Sequence, residues 1–217
     1  MSLRSLQRSR SRHINRACFE ALEARQLMSF TPAVSYPAGT NPQEIVTADF
    51  NNDGRLDLAT CNTGSSSVSV LLGNGNGTFQ APQTSTAGDN PVSIAVGDFN
   101  GDGKLDLTAA NGGTGAVSVM RGNGDGTFQA PTSVSIDADP TSVAVGDFNG
   151  DGKLDLAAVS NTYHSYYGPS YYPGYYEGQV NVLLGTGSGS FAAPTSSSLG
   201  TGYHTSAAVA DPGVTRV

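Results

Sequence analysis

The chain has 217 residues and a net charge of −7, with 37% hydrophobic residues, 13% charged residues and 28 glycines. It is long enough for an apolar core, but no apolar run is long enough for a membrane-spanning helix. Beyond residue 25, sixteen acidic residues face only five basic ones, a net charge of −11, which excludes nucleic-acid binding by phosphate neutralisation.

Residues 1–29 differ in composition from the rest of the chain. Residues 1–25 hold six of the eleven basic residues and lack the continuous apolar segment of a secretory signal peptide. The segment LEARQLMS at 22–29 resembles the LEPRxLLS-like segment of large secreted bacterial repeat proteins, with Ala24 replacing Pro and Met28 replacing Leu. We therefore expect a targeting leader on an exported bacterial protein, extracellular or at the cell surface. A disordered basic tail is the alternative.

Residues 30–217 contain an internal repeat of 49 residues. The decapeptide DFNNDGRLDL at 49–58 recurs as DFNGDGKLDL at 98–107 and 147–156, and a Gly-rich motif ending in TFQAP or SFAAP follows each copy. Apolar residues alternate with a period of two, which predicts four short strands per repeat. This pattern predicts an all-β, propeller-like array of four-stranded antiparallel blades. A β-sandwich would not need identical loops at a fixed spacing.

The repeats are incomplete at both ends of the array. Residues 30–48 correspond to the tail of one unit, and HTSAAVAD at 204–211 echoes PTSVAVGD at 140–147. Three complete repeats plus partial ones predict an incomplete ring with open blade edges. Open edges favour pairing with another chain, so we expect either a homodimer that completes the ring or an aggregation-prone fragment.

Each decapeptide has the composition of a calcium-binding loop. It places Asp at positions 1, 5 and 9, Asn at position 3 and Gly at position 6, and calcium prefers carboxylate, amide and main-chain oxygens. The Gly permits a positive φ, while Phe at position 2 and Leu at position 8 are expected to anchor the loop in the core. About three Ca²⁺ ions are predicted, with the carbonyl of position 7 included among the ligands Asp49, Asn51, Asp53, Arg55, Asp57, Asp98, Asn100, Asp102, Lys104, Asp106, Asp147, Asn149, Asp151, Lys153 and Asp155.

The composition of the loop is also compatible with two other interpretations. An EF-hand needs an acidic residue at position 12 followed by a helix. Position 12 is Thr60, Ala109 or Ala158, and the following residues have a strand pattern, so the EF-hand is excluded. A metal-free Asx-turn hairpin remains open, although three carboxylates within nine residues would then repel one another.

The decapeptide resembles the FG-GAP, or VCBS-type, repeat found in the N-terminal propeller of integrin α chains and in secreted bacterial relatives. All three copies match the pattern D-x-[DN]-x-D-G-x-x-D. The resemblance implies a propeller in which a structural calcium ion lies in the hairpin between the first and second strands of a blade. It also implies ligand sites at the opposite end of the blades.

Only the third repeat carries an insertion. Asp155 and Val180 are 25 residues apart, whereas the equivalent residues of the other two repeats are 11 apart. The insertion, 162–178, is expected to form an exposed loop. It is either a recognition surface for a glycan or an extracellular protein, or a tolerated low-complexity insertion. It holds seven of the nine tyrosines: Tyr163, Tyr166, Tyr167, Tyr171, Tyr172, Tyr175 and Tyr176.

No catalytic motif is present in the sequence. The three histidines are scattered, and the loop carboxylates are assigned to metal. Of the two cysteines, Cys18 lies in the leader, and Cys61 aligns with Ala110 and Val159 and is expected to fill a small core position. We expect a non-catalytic calcium-binding adhesion or binding module. The alternatives are an accessory or catalytic propeller of a calcium-dependent polysaccharide-degrading enzyme, or a truncated product without independent function.

Overall fold

The computed structural model describes residues 33–136, 138–165 and 174–208. All of its strands lie in the compact unit Tyr36–Val217. In chain order they are β1 (Pro42–Ala48), β2 (Asp57–Asn62), β3 (Ser67–Leu71), β4 (Gln83–Thr86), β5 (Pro91–Gly97), β6 (Asp106–Asn111), β7 (Ala116–Met120), β8 (Thr132–Ser135), β9 (Asp139–Gly146), β10 (Asp155–His164), β11 (Tyr175–Leu183) and β12 (Thr195–Thr201).

The strands form three four-stranded antiparallel sheets, each in simple chain order. We call β1–β4, β5–β8 and β9–β12 blades 1, 2 and 3. The first strands of successive blades contact one another, β1 against β5 and β5 against β9, and the described sheets do not close into a ring. The predicted all-β architecture of propeller-like blades is therefore confirmed.

Residues 203–208 lie against β9 in the way that a first strand lies against its predecessor. The Ala207 N–H donates to Ser142 Oγ at 3.1 Å, and the Val143 N–H of β9 donates in the same way to Ser93 Oγ of β5, also at 3.1 Å. The repetition of this hydrogen bond agrees with the sequence similarity between residues 204–211 and residues 140–147. It extends the pattern of blade-to-blade contact beyond β12.

The apolar core lies between blades. One cluster joins blades 1 and 2 around Val70, Ile94 and Met120, and a second joins blades 2 and 3 around Val119 and Leu156. Leaving exposed a side chain of this size costs about 1.5–3 kcal/mol relative to burying it. Burial between neighbouring blades, rather than within one sheet, therefore stabilises the array.

Aromatic pairs complete each contact between blades. Phe50 of the first decapeptide meets Phe128 of the next blade edge to face at 5.9 Å between ring centroids, and Phe99 meets Phe191 at 5.6 Å. No described residue covers Phe148 in this way, and it is 40% exposed. The prediction that the decapeptide Phe anchors its loop in the core is correct for Phe50 and Phe99 and wrong for Phe148.

The leucine at position 8 also differs between repeats. Leu105 and Leu154 pack against the clusters between blades, whereas Leu56 is 69% exposed. The expectation that Leu56 anchors its loop is wrong, because this side chain lies on the face of blade 1 that no described blade covers.

Cys61 is fully buried and free, as expected for a small core position. Its side chain packs in the cluster between blades 1 and 2. Burial raises the pKa of the thiol, since a thiolate would lose its hydration there.

A row of hydrogen-bonded polar side chains crosses each blade, buried on the second and third strands and exposed on the fourth. In blade 1 the Asn62 amide donates to Ser69 Oγ at 2.9 Å, and Ser69 Oγ lies 3.3 Å from Thr84 Oγ1. In blade 2 the Asn111 amide donates to Ser118 Oγ in the same way. These bonds satisfy polar groups that strand alternation places inside the array.

In blade 3 the two residue types exchange strands. Asn181 of the third strand donates to Ser160 Oγ of the second at 2.7 Å, and its Oδ1 accepts from Ser196 at 2.6 Å. In blade 2, by contrast, the buried Oδ1 of Asn111 has no hydrogen-bond partner among the described residues. The arrangement in blade 3, with Asn on the third strand and Ser on the second, therefore gives the amide oxygen a hydrogen-bond partner that it lacks in blade 2.

We predict that Asn111→Ser combined with Ser118→Asn raises the free energy of unfolding by about 1 kcal/mol, because the new amide oxygen gains Ser133 as a donor. Each single change should lower it by about 1–3 kcal/mol, through a cavity or overpacking. A double-mutant cycle from urea denaturation measures the coupling. Simple additivity of the single effects would contradict the prediction.

Candidate functional site

The first decapeptide folds back on its own backbone between β1 and β2. The Asp49 carboxylate accepts from the N–H groups of Asp53, at 3.1 Å, and Gly54, at 2.7 Å. Asn51 Oδ1 accepts from Asp53 N–H at 3.1 Å, and Asp53 Oδ1 accepts from Arg55 N–H at 2.9 Å. The side-chain oxygens at positions 1, 3 and 5 are thus gathered around one turn.

The second and third decapeptides repeat this arrangement. In each, the carboxylate at position 1 accepts from the N–H groups at positions 5 and 6, at 3.2 and 2.9 Å. The glycine at position 6 has a φ of +80° in all three loops, as predicted. The residues gathered in this way are Asp98, Asn100 and Asp102 in blade 2, and Asp147, Asn149 and Asp151 in blade 3.

A basic side chain at position 7 lies beside the carboxylate at position 5 in two loops. Arg55 Nη1 is 3.6 Å from Asp53 Oδ2, and Lys153 Nζ is 3.2 Å from Asp151 Oδ2. The pKa of Asp151 is lowered, chiefly by the hydrogen bond from Lys153 N–H. Because both pairs are exposed, each contributes little to stability.

The aspartate at position 9 has a different environment from the other three predicted side-chain ligands. Asp57 is fully buried, and its two oxygens accept from Phe50 N–H at 2.8 Å and from Gly73 N–H at 2.7 Å. Phe50 belongs to the decapeptide and Gly73 begins the turn between β3 and β4. The carboxylate therefore ties together the two loops at this end of the blade.

Every blade repeats this bond pattern. Asp106 accepts from Phe99 N–H at 3.0 Å and Gly122 N–H at 2.8 Å, and Asp155 does the same with Phe148 and Gly185 at 2.9 and 2.7 Å. The sequence pattern predicts a metal ligand at position 9 and does not predict this hydrogen-bonding role. The available signal was the Gly-rich motif that recurs in step with the decapeptide.

Burial governs the protonation of Asp106. Loss of hydration raises the pKa of this carboxyl, the N–H groups of Gly122 and Phe99 oppose that rise, and the charges of Asp102 and Asp98 add to it.

A glycine is needed at position 122, the donor to Asp106, because a Cβ at Gly122 would overlap the Leu105 carbonyl oxygen.

The donor atoms fit a hard cation better than a transition metal. The three loops offer carboxylate, amide and carbonyl oxygens and no nitrogen or sulfur ligand, a set that suits Ca²⁺. Within the described ranges, no group of three or more His, Cys, Asp or Glu side chains is already arranged to hold a metal ion. In each loop, positions 1, 3 and 5 come together, while position 9 is directed to the backbone.

The tyrosine-rich insertion lengthens a hairpin, where the sequence predicted a loop. The paired strands β10 and β11 extend as far as the pairs Tyr163–Tyr176 and His164–Tyr175. The expectation of a loop over all of 162–178 is therefore wrong at both of its ends. The other four tyrosines assigned to the recognition surface lie outside the described residues: Tyr166, Tyr167, Tyr171 and Tyr172.

The two faces of this hairpin carry different groups. On one face the Tyr163 and Tyr176 rings lie 5.0 Å apart. On the other, His164 stacks on Tyr175 at 5.0 Å and lies 3.2 Å from Glu177 Oε2. The described tyrosines of the hairpin are exposed, as expected.

A further tyrosine joins the first face. Tyr203, beyond β12, meets Tyr176 edge to face at 5.0 Å, and Gly202 N–H donates to the Tyr176 carbonyl at 2.8 Å. Tyr203 is not among the predicted recognition residues, because it lies outside the insertion and only the pairing of β11 with β12 brings it close.

The three blades repeat one loop geometry at the same end. Comparison with family models agrees: an FG-GAP-like repeat model matches residues 49–109 and 98–158, and an FG-GAP repeat model matches residues 140–183. The chain belongs to the FG-GAP repeat family. The narrower likeness to integrin α chains and secreted bacterial proteins stays a prediction. A search of curated proteins finds no match.

Two expectations about location have different outcomes. The targeting leader at 1–29 lies outside the described residues. In the part of the chain that is described, no helix is long and apolar enough to cross a membrane.

We predict that Asp106→Asn lowers the free energy of unfolding by about 1–3 kcal/mol in the presence of EDTA. An amide offers one acceptor in place of two, so one of the two buried N–H groups loses its partner. Asp102→Asn is the matched control, since it keeps an acceptor for Lys104 N–H on an exposed loop and should cost less than about 0.5 kcal/mol. Equal losses in urea denaturation would contradict the assignment.

Proposed function

We propose that this FG-GAP repeat protein is a non-catalytic calcium-binding module for adhesion or binding, in which calcium stabilises the decapeptide loop of each blade. The supporting observation is the gathering of oxygens at positions 1, 3 and 5 of three loops that lie at the same end of the blades. The carbonyl at position 7 and the carboxylate at position 9 complete the proposed ligands. Each carboxylate oxygen at position 9 has a lone pair beyond its N–H bond.

Electrostatics supports a bound cation in each loop. Three carboxylates at positions 1, 5 and 9 repel one another, and the single basic side chain at position 7 offsets little of this at the surface. A calcium ion neutralises two of the three charges. At about millimolar calcium and a dissociation constant of about 0.1–1 mM, each loop would contribute about 0.5–1.5 kcal/mol by mass action.

The proposed location is extracellular or at the cell surface of a bacterium, following export. FG-GAP repeats are typical of extracellular proteins, which agrees with a site of this affinity class. The targeting segment proposed at 1–29 is part of this hypothesis.

The proposed partners are a glycan or an extracellular protein, bound at the end opposite the decapeptide loops through the tyrosines of the insertion. Exposed tyrosine side chains favour such contacts, because each offers an aromatic ring and a hydroxyl group and loses little side-chain conformational entropy on binding. A homodimer through open blade edges is also proposed, and the exposed side chains of Leu56 and Phe148 support it.

One observation favours the alternative of a propeller from a polysaccharide-degrading enzyme. His164 and Glu177 form a close pair beside the exposed Tyr175, an arrangement that can transfer a proton. Reducing-sugar release that is lost in His164→Ala would favour this alternative over a non-catalytic module.

We predict that calcium raises the melting temperature by about 5–15 °C over the value in EDTA, since three loops together gain about 1.5–4.5 kcal/mol. Equilibrium dialysis should recover about three ions per chain. Asp102→Asn should remove about one of them.

The matched control for this measurement is Asp125→Asn. Asp125 is exposed at the same end of blade 2, but it belongs to the β7–β8 turn, where it accepts from Thr127. The control should bind as many ions as the unmodified chain. Absence of bound calcium, or equal loss in both variants, would overturn the proposed metal sites.

A further inference from the structure

A groove opens at the end of the blades opposite the decapeptide loops. Its volume is about 400 Å³, and it lies where the first strands of all three blades begin. Gln43 comes from blade 1, Asn90 from the entry to blade 2, and Asp139 and Thr141 from blade 3, while Tyr203 forms one wall. The groove thus depends on the stacking of the three blades.

We propose that this groove binds an uncharged oligosaccharide, with Tyr203, Tyr176 and Tyr163 as the aromatic side chains that contact its sugar rings. The inference rests on the proposed role as a binding module and names the chemistry of its ligand. The groove does not share residues with the proposed calcium sites, since none of its lining residues belongs to a decapeptide.

The aromatic surface is continuous from the hairpin to the groove. Tyr163 and Tyr176 are 5.0 Å apart, Tyr176 and Tyr203 are 5.0 Å apart, and the three rings are 40–59% exposed. Tyrosine offers a rigid apolar face and a hydroxyl with only two side-chain torsions to order. The Tyr163 ring is inclined by 53° and the Tyr203 ring by 80° to the Tyr176 ring, so each ring offers a separately oriented contact for the apolar C–H face of one sugar residue.

The polar side of the groove suits hydroxyl groups. The side chains of Gln43, Asn90 and Asp139 form no hydrogen bond with another described residue, so their amide and carboxylate groups are available. An amide both donates and accepts, and a carboxylate accepts two bonds, which matches neighbouring hydroxyls of a sugar ring.

The charge of the groove excludes acidic ligands. Its described lining contains the carboxylate of Asp139 and no Lys, Arg or His side chain. A uronic acid or a nucleic acid would therefore meet repulsion without a compensating cation.

A proline-rich peptide fits less well, although such peptides dock in aromatic grooves. Proline has no N–H group, so the peptide would bury the acceptors of Asp139 and Gln43 without donors for them. A sugar ring supplies a hydroxyl at almost every carbon.

The test is a titration of the full chain by two-dimensional NMR with four neutral hexasaccharides: cellohexaose, laminarihexaose, maltohexaose and mannohexaose. At least one should bind with a dissociation constant of about 1 mM or lower. Tyr203→Ala and Asp139→Ala should each weaken that binding by about tenfold or more. Asp125→Ala is the matched control for Asp139→Ala and should change it by less than about twofold, because Asp125 is an exposed carboxylate at the decapeptide end of blade 2, where it accepts from Thr127.

Three outcomes would overturn the proposal. They are no binding of any of the four probes at about 5 mM, equal weakening by Asp139→Ala and Asp125→Ala, and saturable binding of a proline-rich peptide, titrated in the same way, when none of the sugars binds. The titration is run with calcium and with EDTA, and the melting temperature of each variant is recorded. Sugar binding without calcium binding would refute the proposed metal sites and leave the groove assignment intact. Calcium binding without sugar binding would refute the groove assignment and leave the proposed metal sites intact.

Discussion

In each blade, one buried carboxylate holds two loops together by accepting a backbone N–H from each. Asp57, Asp106 and Asp155 all occupy this position, at the start of the second strand. A buried charge is costly unless it is fully hydrogen-bonded, so the two loops and the carboxylate specify one another. The buried carboxylate therefore fixes the geometry of the decapeptide from the interior of the blade. It thereby positions the exposed oxygen atoms at positions 1, 3 and 5, which are the proposed metal ligands.

The two ends of the blades then differ in what they can do. At the decapeptide end, short loops are fixed by hydrogen bonds to their own backbone and differ little between repeats. At the opposite end, the hairpin of blade 3 is extended, and Tyr203 meets Tyr176 only because β11 pairs with β12. A repeat array can thus keep a constant stabilising end and vary its recognition end.

Local patterns in the sequence predicted the local features correctly. The 49-residue period predicted the blades, the glycine at position 6 predicted a positive φ at Gly54, and alignment with Ala110 predicted the buried position of Cys61. Features that depend on contacts between distant strands were not predictable in this way. The burial of a Phe ring depends on the turn of the next blade, so identical decapeptides leave Phe99 buried and Phe148 exposed. The hydrogen-bonding role of position 9 likewise requires a turn 16 residues away.

The most direct test of the central carboxylate is amide hydrogen exchange of the full chain in EDTA. If the buried aspartates hold the loops by themselves, the N–H groups of Phe50 and Phe99, with those of Gly73 and Gly122, should exchange as slowly as the amides of the central strands. The exposed N–H of Gly54 should exchange faster, since its acceptor lies at the surface. Rapid exchange of the four protected amides in EDTA, with protection appearing only when calcium is added, would contradict this and make the metal ion the organising element.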